Sequence, residues 1–363
     1  MPALGKIMAL GFLLAAGAAC RRGDEPVACP GCRIRLERVA VLGADGGPGL
    51  TLQTQVVRDG RGRYFAAPTY DPARVAVYDP GGRFVRAFGR QGGGPGEFRE
   101  IHGLAVAPGD SLYVVDRGGR VGVVGPAQEP VRGVTLPDRP HDLLVAPPHL
   151  VLAPSGLEVR SGPVQWTDAA GRPVRATAEP DPQLRLRTSA WELAPAAGGA
   201  VWTAQMDGKG YRLALYGADA RLRKEHVLAP AWLRELAPFT SWLRLRNQRV
   251  EVPPGRIADF AAADGRGWLV LLRENEEWAE RARKTAARGG REAGVVRLDA
   301  EDVKARYERR VEVVDLATGR VVARARLPQL VGGFADAHHL FSHRETDGGA
   351  MVVDVWRASL ERS

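Results

Sequence analysis

Short runs of alternating apolar and polar residues, separated by turns rich in glycine and proline, fill most of the chain. Residues 60–84 and 109–124 each follow this pattern, with two apolar runs on either side of a polar turn. Alternation with a period of two predicts strands with one buried face, and the glycines between them predict tight turns. We therefore expect an all-β body rather than a bundle of long helices.

The strand–turn–strand unit recurs at a fixed spacing. Arg74 and Arg120 hold the same place in the unit and lie 46 residues apart, and Arg212 follows Arg74 by 138 residues, three times that period. Repeats of about 40–50 residues built from short strands are typical of propeller blades with four antiparallel strands. The sequence therefore predicts a β-propeller.

Counting from these positions predicts six blades. They cover residues 50–93, 94–138, 139–185, 186–230, 255–328 and 329–363. The last blade lacks one outer strand, and the alternating residues 33–42 are suited to supply it from the N-terminal side. Pairing of the first and last blades closes the ring and removes an exposed sheet edge. The predicted domain therefore spans residues 33–363.

The first two blades contain a motif that resembles a known repeat. Phe88-Gly-Arg-Gln-Gly-Gly-Gly-Pro-Gly-Glu-Phe98 is followed by Gly103–Val106 and then by Leu112–Arg117. This succession resembles an NHL repeat, and the chain is similar to the six-bladed propeller lipoproteins of bacteria. The resemblance implies an all-β, six-bladed propeller of the NHL or TolB-like type.

Two insertions interrupt the period, at about residues 231–254 and 273–310. In the first, Trp232, Leu233, Leu236 and Phe239 have helical spacing, and the second is rich in Arg, Glu and Ala. We expect both to be helical. They either cover one mouth of the ring as partner-binding elements or pack their apolar faces on the propeller, and the sequence leaves both readings open.

The first 19 residues predict a targeting segment. Lys6 precedes an apolar run over residues 7–19, which has the length of a secretory h-region and is too short to cross a bilayer. Small residues lead directly to Cys20, and this junction resembles a bacterial lipobox, in which the cysteine is lipidated. The resemblance implies a lipid-anchored protein of the cell envelope, and the alternative is ordinary cleavage near Ala18-Ala19.

Residues 20–32 form a short tether with the remaining two cysteines, Cys29 and Cys32. The spacing C-x-x-C fits a redox pair, half a zinc site or a local disulfide. The sequence has no second C-x-x-C, and Arg33 follows Cys32 in place of the histidine of a haem attachment site. Because an exported protein meets an oxidising compartment, we favour a disulfide between Cys29 and Cys32.

Composition narrows the possible functions. Of the 363 residues, 45% are apolar. The net charge is +9, and the basic residues are 46 arginines and five lysines. A chain with this apolar share is neither disordered nor a small disulfide scaffold. The arginines are dispersed along the sequence rather than clustered, so nucleic-acid binding is not expected.

Candidate chemistry lies where the predicted inner strands begin. His102 precedes Gly103–Val106, His141 precedes Asp142–Val145, and His338 follows Asp336 in the sixth blade. The placement of His102 is similar to that of a zinc-ligating histidine in the peptide-amidating lyase propellers. Three imidazoles on the axis would bind zinc, or oxygen ligands there calcium. The alternative is a polar channel lining without catalysis or cofactor.

The favoured hypothesis is an extracytoplasmic, lipid-anchored propeller that binds a protein, a peptide or a glycan on one face of the ring. We expect a monomer that contacts the membrane through Cys20 and is not an enzyme. Asp116 and Arg120 are expected to organise a blade turn. Two alternatives remain open, namely a metal-dependent lyase or hydrolase with an axial histidine site, and a structural component of the envelope.

Overall fold

Six four-stranded antiparallel sheets surround a common axis. The computed structural model describes residues 27–68, 73–154, 163–177, 191–206, 210–234, 241–245, 248–252, 255–278, 280, 284, 295–296 and 305–362. The inner strand of every sheet contacts the inner strands of the two neighbouring sheets, so the ring is closed. The chain is a six-bladed β-propeller.

The chain joins the ring through β1 (Cys32–Leu42), the outer strand of the sixth blade. From the inner to the outer strand, the first blade is β2 (Thr54–Arg58), β3 (Tyr64–Pro68), β4 (Val75–Tyr78) and β5 (Phe84–Phe88). A small parallel pair, β6 (Arg90–Gln91) and β7 (Glu97–Phe98), leads into the second blade. The second blade is β8 (Ile101–Val106), β9 (Leu112–Asp116), β10 (Arg120–Val124) and β11 (Pro130–Thr135).

The next two blades repeat this order. The third blade is β12 (Pro140–Ala146), β13 (His149–Pro154), β14 (Gln165–Thr167) and β15 (Pro173–Ala176). The fourth is β16 (Glu192–Pro195), β17 (Val201–Met206), β18 (Tyr211–Tyr216) and β19 (Leu222–Leu228). Single 3₁₀ turns occupy Arg117–Gly119 and Ala197–Gly199.

Between the fourth and fifth blades lie a one-turn helix α1 (Ala231–Arg234), then β20 (Ser241–Leu245) and β21 (Gln248–Val252). The fifth blade is β22 (Gly255–Ala263), β23 (Arg266–Glu274), β25 (Tyr307–Asp315) and β26 (Val321–Leu327), with β24 (Val295–Val296) paired to β20. The sixth is β27 (Leu330–Asp336), β28 (His339–Glu345), β29 (Met351–Arg362) and β1.

The two ends of the chain pair in the sixth blade. Strand β1 is antiparallel to β29 from Cys32 opposite Arg362 to Leu42 opposite Val353, with one bulge between Arg38 and Ala40. This strand contains the segment 33–42 for which the sequence predicts a closing role. Since β1 covers β29, the described part of the sixth blade has the same four strands as the others.

The core consists of apolar layers between adjacent blades. Phe65 and Val75 of the first blade, for example, pack with Leu112 and Val114 of the second. These residues come from strands two and three of each blade, which are buried on both faces, whereas β5 and β19 are largely exposed. Burial on both faces explains why the inner hydrophobic runs are continuous while the outer strands alternate.

The helical expectation for the first insertion is wrong for residues 241–252. Helix α1 is one turn long, and β20 and β21 form an antiparallel hairpin. The sequence there alternates apolar and charged residues with a period of two, which favours strands over a helix. The segment containing Leu236 and Phe239 lies outside the described residues.

The second insertion leaves the sheet at Glu274 and returns at Tyr307, so strands take up both ends of the predicted range 273–310. A helical turn covers residues 276–278, and the Asn275 side chain caps it by accepting hydrogen bonds from the backbone of Glu277 and Trp278. Most of this insertion lies outside the described residues. In the parts of the chain that the structure describes, no helix has the length and apolarity to cross a membrane.

Candidate functional site

The inner strands line a central channel with a cavity of about 490 Å³. Each of them starts at one end of the channel and finishes at the other, and we call these the upper and the lower end. Because strands within a blade are antiparallel, the connections from β23 to β25 and from β19 to β22 both lie at the upper end. The two long insertions therefore leave and rejoin the ring at the upper face.

A one-residue bulge near the upper end recurs in four inner strands. The bulged residues are His102, His141, Ala258 and Gly332. A bulge re-aims the side chains that follow it. In the third and fifth blades, the residue after the bulge is an aspartate, Asp142 or Asp259, and in the fourth blade Glu192 begins the inner strand.

These three acids, which we call the acidic belt, line the channel together. Asp142 accepts hydrogen bonds from the backbone of Leu143 and, across the blade boundary, of Leu193, both at 2.7 Å. Asp259 repeats this arrangement with the backbone of Phe260 at 2.7 Å and of Phe334 at 2.6 Å. The two aspartates therefore join the third blade to the fourth and the fifth to the sixth.

Burial and mutual repulsion raise the pKa of the two aspartates of the acidic belt. Burial, reinforced by the negative charge of Glu192, raises the pKa of Asp142 from 3.8 to about 7. Burial also raises the pKa of Asp259 well above its usual value, with the charges of Glu192 and Asp142 acting in the same direction. Asp142 therefore exchanges its proton near neutral pH.

His141 is the cationic partner of the belt. Its Nε2 lies 3.0 Å from Oε1 of Glu192. The side chain is 40% accessible, but that surface faces the channel interior, where inner strands surround it. Burial works against the charged ring, yet the charge and hydrogen bond of Glu192 outweigh it and raise the pKa of His141 to about 9. His141 is therefore a charged partner of Glu192 rather than a free ligand.

The three histidines of the predicted metal site do not come together. His102 has a buried side chain, with Nδ1 3.0 Å from the Arg139 guanidinium, and His141 binds Glu192. His338 lies at the lower end, because it follows the end of β27. At about 3.3 Å per residue, the four residues from Gly332, the bulge position of that strand, to its end at Asp336 span roughly 13 Å, and His338 lies beyond that end.

The three histidines predicted to bind a metal ion are therefore not placed to bind one ion together. In the described parts of the chain, no group of three or more His, Cys, Asp or Glu side chains is placed to hold a metal ion. Asp336, at the lower end, instead pairs with Arg58 at 3.0 Å and with Nδ1 of His339 at 2.8 Å. These contacts lower the pKa of Asp336 to about 2 against the opposing effect of burial.

The channel lining has the chemistry of a binding site. Among its described residues, the titratable side chains are Arg58, His141, Asp336 and the acidic belt, and none is a serine, threonine, cysteine or lysine. A hydroxyl, thiol or amine nucleophile is therefore not part of the described lining. A carboxyl that exchanges its proton near neutral pH, as Asp142 does, can accept a hydrogen bond from a ligand or donate one to it.

Two further sequence predictions concern structural residues. Asp116 accepts hydrogen bonds from the backbone of Arg99 at 2.9 Å and Glu100 at 2.8 Å, and Arg120 lies 3.3 Å from its second oxygen. This pair organises the connection between the first and second blades. The structure also contains a disulfide between Cys29 and Cys32. Cys20 and the segment 1–19 lie outside the described residues.

The sequence places Asp259 in the inner-strand segment of the fifth blade, beside the candidate channel residues, but it does not single out Glu192 or indicate that these acids meet Asp142. A weak signal exists, because each of the three acids lies in the inner strand of one of three consecutive blades. The insertion before residue 255 breaks the period, so spacing alone does not align the third member of the belt with the other two.

Comparisons with known proteins agree with the fold. A family model, DUF5128, described as a 6-bladed beta-propeller, matches residues 50–121, which is a fifth of the chain. None of the curated proteins compared with this chain matches it. The NHL resemblance of the first two blades stays a prediction.

Several solved structures are similar to the chain. BamB from Moraxella catarrhalis is 12% identical, with 89% of this chain and 100% of that chain covered and a TM-score of 0.42. A Bacteroides fragilis protein provisionally described as exported is 10% identical, with 92% and 97% covered and a TM-score of 0.38. A Thermus thermophilus protein provisionally described as an oxidoreductase (glucose dehydrogenase) is 16% identical, with 90% and 100% covered and a TM-score of 0.40. Sequence identities and TM-scores this low do not indicate a function for the chain.

Proposed function

We propose that the chain is a binding module of the bacterial cell envelope that holds a protein or peptide on the upper face of its propeller. The observation that carries this proposal is the asymmetry of the ring: both long insertions rejoin it at the upper end, beside the acidic belt and the open channel. Long excursions on a rigid scaffold are the usual carriers of recognition.

The bases of both insertions support a fixed upper face. Trp232 of α1 is buried and donates to Glu312 of β25 at 3.1 Å. Arg306, at the end of the second insertion, pairs with Glu274 at 3.1 Å, and its guanidinium lies 4.9 Å from the ring centre of Trp278. These buried contacts fix the ends of both insertions on the ring, and they therefore orient the insertion surface that a partner would contact.

A peptide fits the described surface better than a glycan. Sugar rings are commonly held on exposed aromatic faces, and the exposed large apolar side chains of the described residues are Val85, Val131, Val174, Leu222 and Val227, without an aromatic residue among them. The acidic belt and the arginines at the upper end instead offer charged hydrogen-bonding partners, which suit polar backbone and charged side chains.

Site-specific photo-crosslinking tests the proposal. A benzoylphenylalanine at Gln53, at the start of β2, is expected to crosslink to a discrete partner in cells, because Gln53 is exposed at the upper end. The same residue at Arg221, exposed in a lower-face turn, is the matched control and is expected to give no such product. Equal crosslinking from both faces, or from the lower face alone, would contradict the proposal.

The envelope location of the module is a separate part of the proposal. We expect the mature chain to begin at Cys20 and to carry lipid there, as its likeness to a lipobox implies. A Cys20→Ser variant should leave the membrane fraction and lose the mass of the acyl groups. A wild-type chain that starts at another residue or carries no lipid would leave an exported but unanchored protein.

A further inference from the structure

A second cavity, of about 380 Å³, opens at the upper end between the fifth, sixth and first blades. It shares Gln55, Ala258, Gly332 and Phe341 with the channel, so the two spaces are continuous. We call this space the arginine pocket. Its polar side chains are those of Gln53, Thr54, Gln55, Arg256, Tyr307, Arg309 and His343.

Two arginine side chains, those of Arg256 and Arg309, line the arginine pocket. Among the lining residues that the structure describes, none is an aspartate or a glutamate. Nη1 of Arg309 donates a hydrogen bond to the carbonyl of Tyr307 at 2.8 Å. Burial, together with the positive charge of Arg256, lowers the pKa of Arg309 to about 10. Two like charges in a partly buried space repel each other, and an anion between them relieves that repulsion.

The neighbouring arginines show how different this arrangement is. Arg306 lies 3.1 Å from Glu274, Arg310 lies 3.1 Å from Glu308, and Arg324 lies 3.2 Å from Glu312. Arg256, in contrast, makes no ion pair with the residues that the structure describes, and its ring contact is with Tyr307 at 5.9 Å. Its guanidinium is exposed at the rim of the pocket.

The position of Arg256 is fixed by the fold. It is the second residue of β22, two positions before the bulge at Ala258, and Arg309 is the third residue of β25 in the same blade. His343 closes the pocket from the sixth blade, with Nε2 2.9 Å from the carbonyl of Thr54, and burial lowers its pKa. The pocket therefore keeps its positive charge on the two arginines.

We propose that the arginine pocket binds a carboxylate group of a peptide ligand, with Arg256 and Arg309 as its charged hydrogen-bond donors. The planar guanidinium group matches a carboxylate in two parallel hydrogen bonds. The lack of an exposed aromatic platform in the described surface favours a peptide over an acidic sugar. This inference rests on the proposed function and adds the chemical class of the group that is recognised.

Peptide binding to the full chain tests this inference. The probe is a fluorescein-labelled glycine peptide with three glutamates and a free C-terminus, and its control has glutamines and an amidated C-terminus. We expect saturable binding of the acidic peptide alone. Arg256→Gln and Arg309→Gln should each weaken it by about tenfold or more, because each removes a charge-assisted hydrogen bond.

Arg221→Gln is the matched control, since it removes one positive charge from the lower face. We expect it to change the affinity by less than about twofold, as distant exposed charges are screened at physiological salt. Circular dichroism and the melting temperature of each variant establish that the fold is retained. If Arg221→Gln weakened peptide binding as much as the pocket variants do, the effect would come from net charge alone, and the proposal would be overturned.

Three other outcomes also overturn it. These are equal binding of the amidated peptide, no binding of either peptide at about 1 mM, and binding of trigalacturonate without binding of the acidic peptide. The last result would assign the pocket to acidic sugars. Crosslinking from Gln53 that persists in Arg256→Gln would keep the upper-face function while the carboxylate proposal fails, so the two failures are distinguishable.

Discussion

The lower face of the ring repeats one kind of turn in three places, and the upper face carries the two long insertions. In three lower turns, an aspartate accepts hydrogen bonds from the backbone two and four residues later, and the arginine four residues later donates to the same carboxylate. The pairs are Asp59 with Arg63 at 2.7 Å, Asp79 with Arg83 at 2.9 Å and Asp168 with Arg172 at 2.7 Å. Each turn thus satisfies its polar groups locally.

The lower face also connects consecutive blades. A basic residue of the outer strand donates to a backbone carbonyl in the next blade's turn. These contacts are Arg86 to Ala127, Arg132 to Ala169, Arg175 to Ala218 and Lys224 to Ala317. Four basic residues of the outer strands therefore have a structural use between blades.

The upper end has the opposite electrostatics. Asp142 and Asp259 have raised pKa values because they are buried near other acids, whereas Asp336 at the lower end has a lowered pKa because it accepts hydrogen bonds from Arg58 and His339. The comparison teaches that acids of one chain are held in their charged form at one end of the channel and in their neutral form at the other. Strongly raised pKa values in a cleft are a common property of functional sites.

The largest expected effect is at the base of an upper insertion. Arg306→Ala should destabilise the fold by about 3–5 kcal/mol, because Arg306 is 1% exposed and pairs with Glu274, which is also buried. Urea unfolding of the variant measures this. The exposed pair of Arg35 and Glu361 is the control, and Arg35→Ala should lower the free energy of unfolding far less than Arg306→Ala does. Equal losses would remove the distinction between anchored and superficial pairs.

The second prediction concerns pH. A carboxyl whose pKa rises on folding stabilises the folded state at low pH, so the contribution of Asp142 is lost as pH rises from 3.8 to about 7. The raised pKa of His141 acts in the same direction between 6.5 and about 9. Stability should therefore fall between pH 5 and pH 8, with about 2–4 kcal/mol from Asp142.

Urea unfolding at pH 5, 6.5 and 8 measures this slope. Asp142→Asn should flatten it, whatever its effect on the absolute stability, and Asp168→Asn on the lower face should leave it unchanged. Asp336 gives the opposite dependence, since its stabilisation is lost only as pH falls from 3.8 to about 2. If the stability of Asp142→Asn depended on pH as steeply as that of the wild type, Asp142 would not control the pH dependence of stability.

The third prediction compares the contribution to stability of the same aspartate in two lower turns, one buried and one exposed. The Asp59 side chain is fully buried and accepts from Arg63 and from the backbone of Arg61, so Asp59→Ala should cost about 1–3 kcal/mol. The equivalent Asp168 is 31% exposed, so Asp168→Ala should lower the free energy of unfolding less than Asp59→Ala does. Thermal unfolding compares them, and a larger loss at Asp168 would contradict the burial argument.

The smallest effect is expected between blades. Arg175→Ala removes the 2.7 Å contact with the Ala218 carbonyl, at an exposed position, and should cost about 0.5–1 kcal/mol. Lys224→Ala, which removes the equivalent contact with Ala317, is the companion variant. If neither variant lowers the denaturant midpoint, these contacts contribute nothing measurable to ring closure.

Repeats made much of the fold predictable. The 46-residue spacing of Arg74 and Arg120 depends on local alternation, which a propeller copies from blade to blade, and the six predicted blade ranges rest on it. The first insertion was harder, because helical spacing over Trp232 and Leu233 is followed by an alternating segment that pairs as a hairpin. The hairpin follows the local alternation of residues 241–252, and the helical spacing before it extends to only one helical turn, α1.

The site was less predictable than the fold. His102 and His141 do lie at the start of inner strands, as the sequence indicates, but their ring nitrogens lie beside Arg139 and Glu192 from neighbouring blades. The spacing of residues along the sequence does not indicate which side chains of neighbouring blades will be in contact. The arginine pocket was equally hidden, since Arg256 and Arg309 are 53 residues apart among 46 arginines.

The sequence by itself determined the repeating unit, the number of blades and the lower turns, because each of these depends on residues within one blade. The tertiary structure alone decided which charges meet at the upper end. Asp142, Glu192 and Asp259 become a belt only when three separate inner strands are placed around one axis. The raised pKa values of Asp142 and Asp259 follow from that meeting, because burial and repulsion act through space and not along the chain.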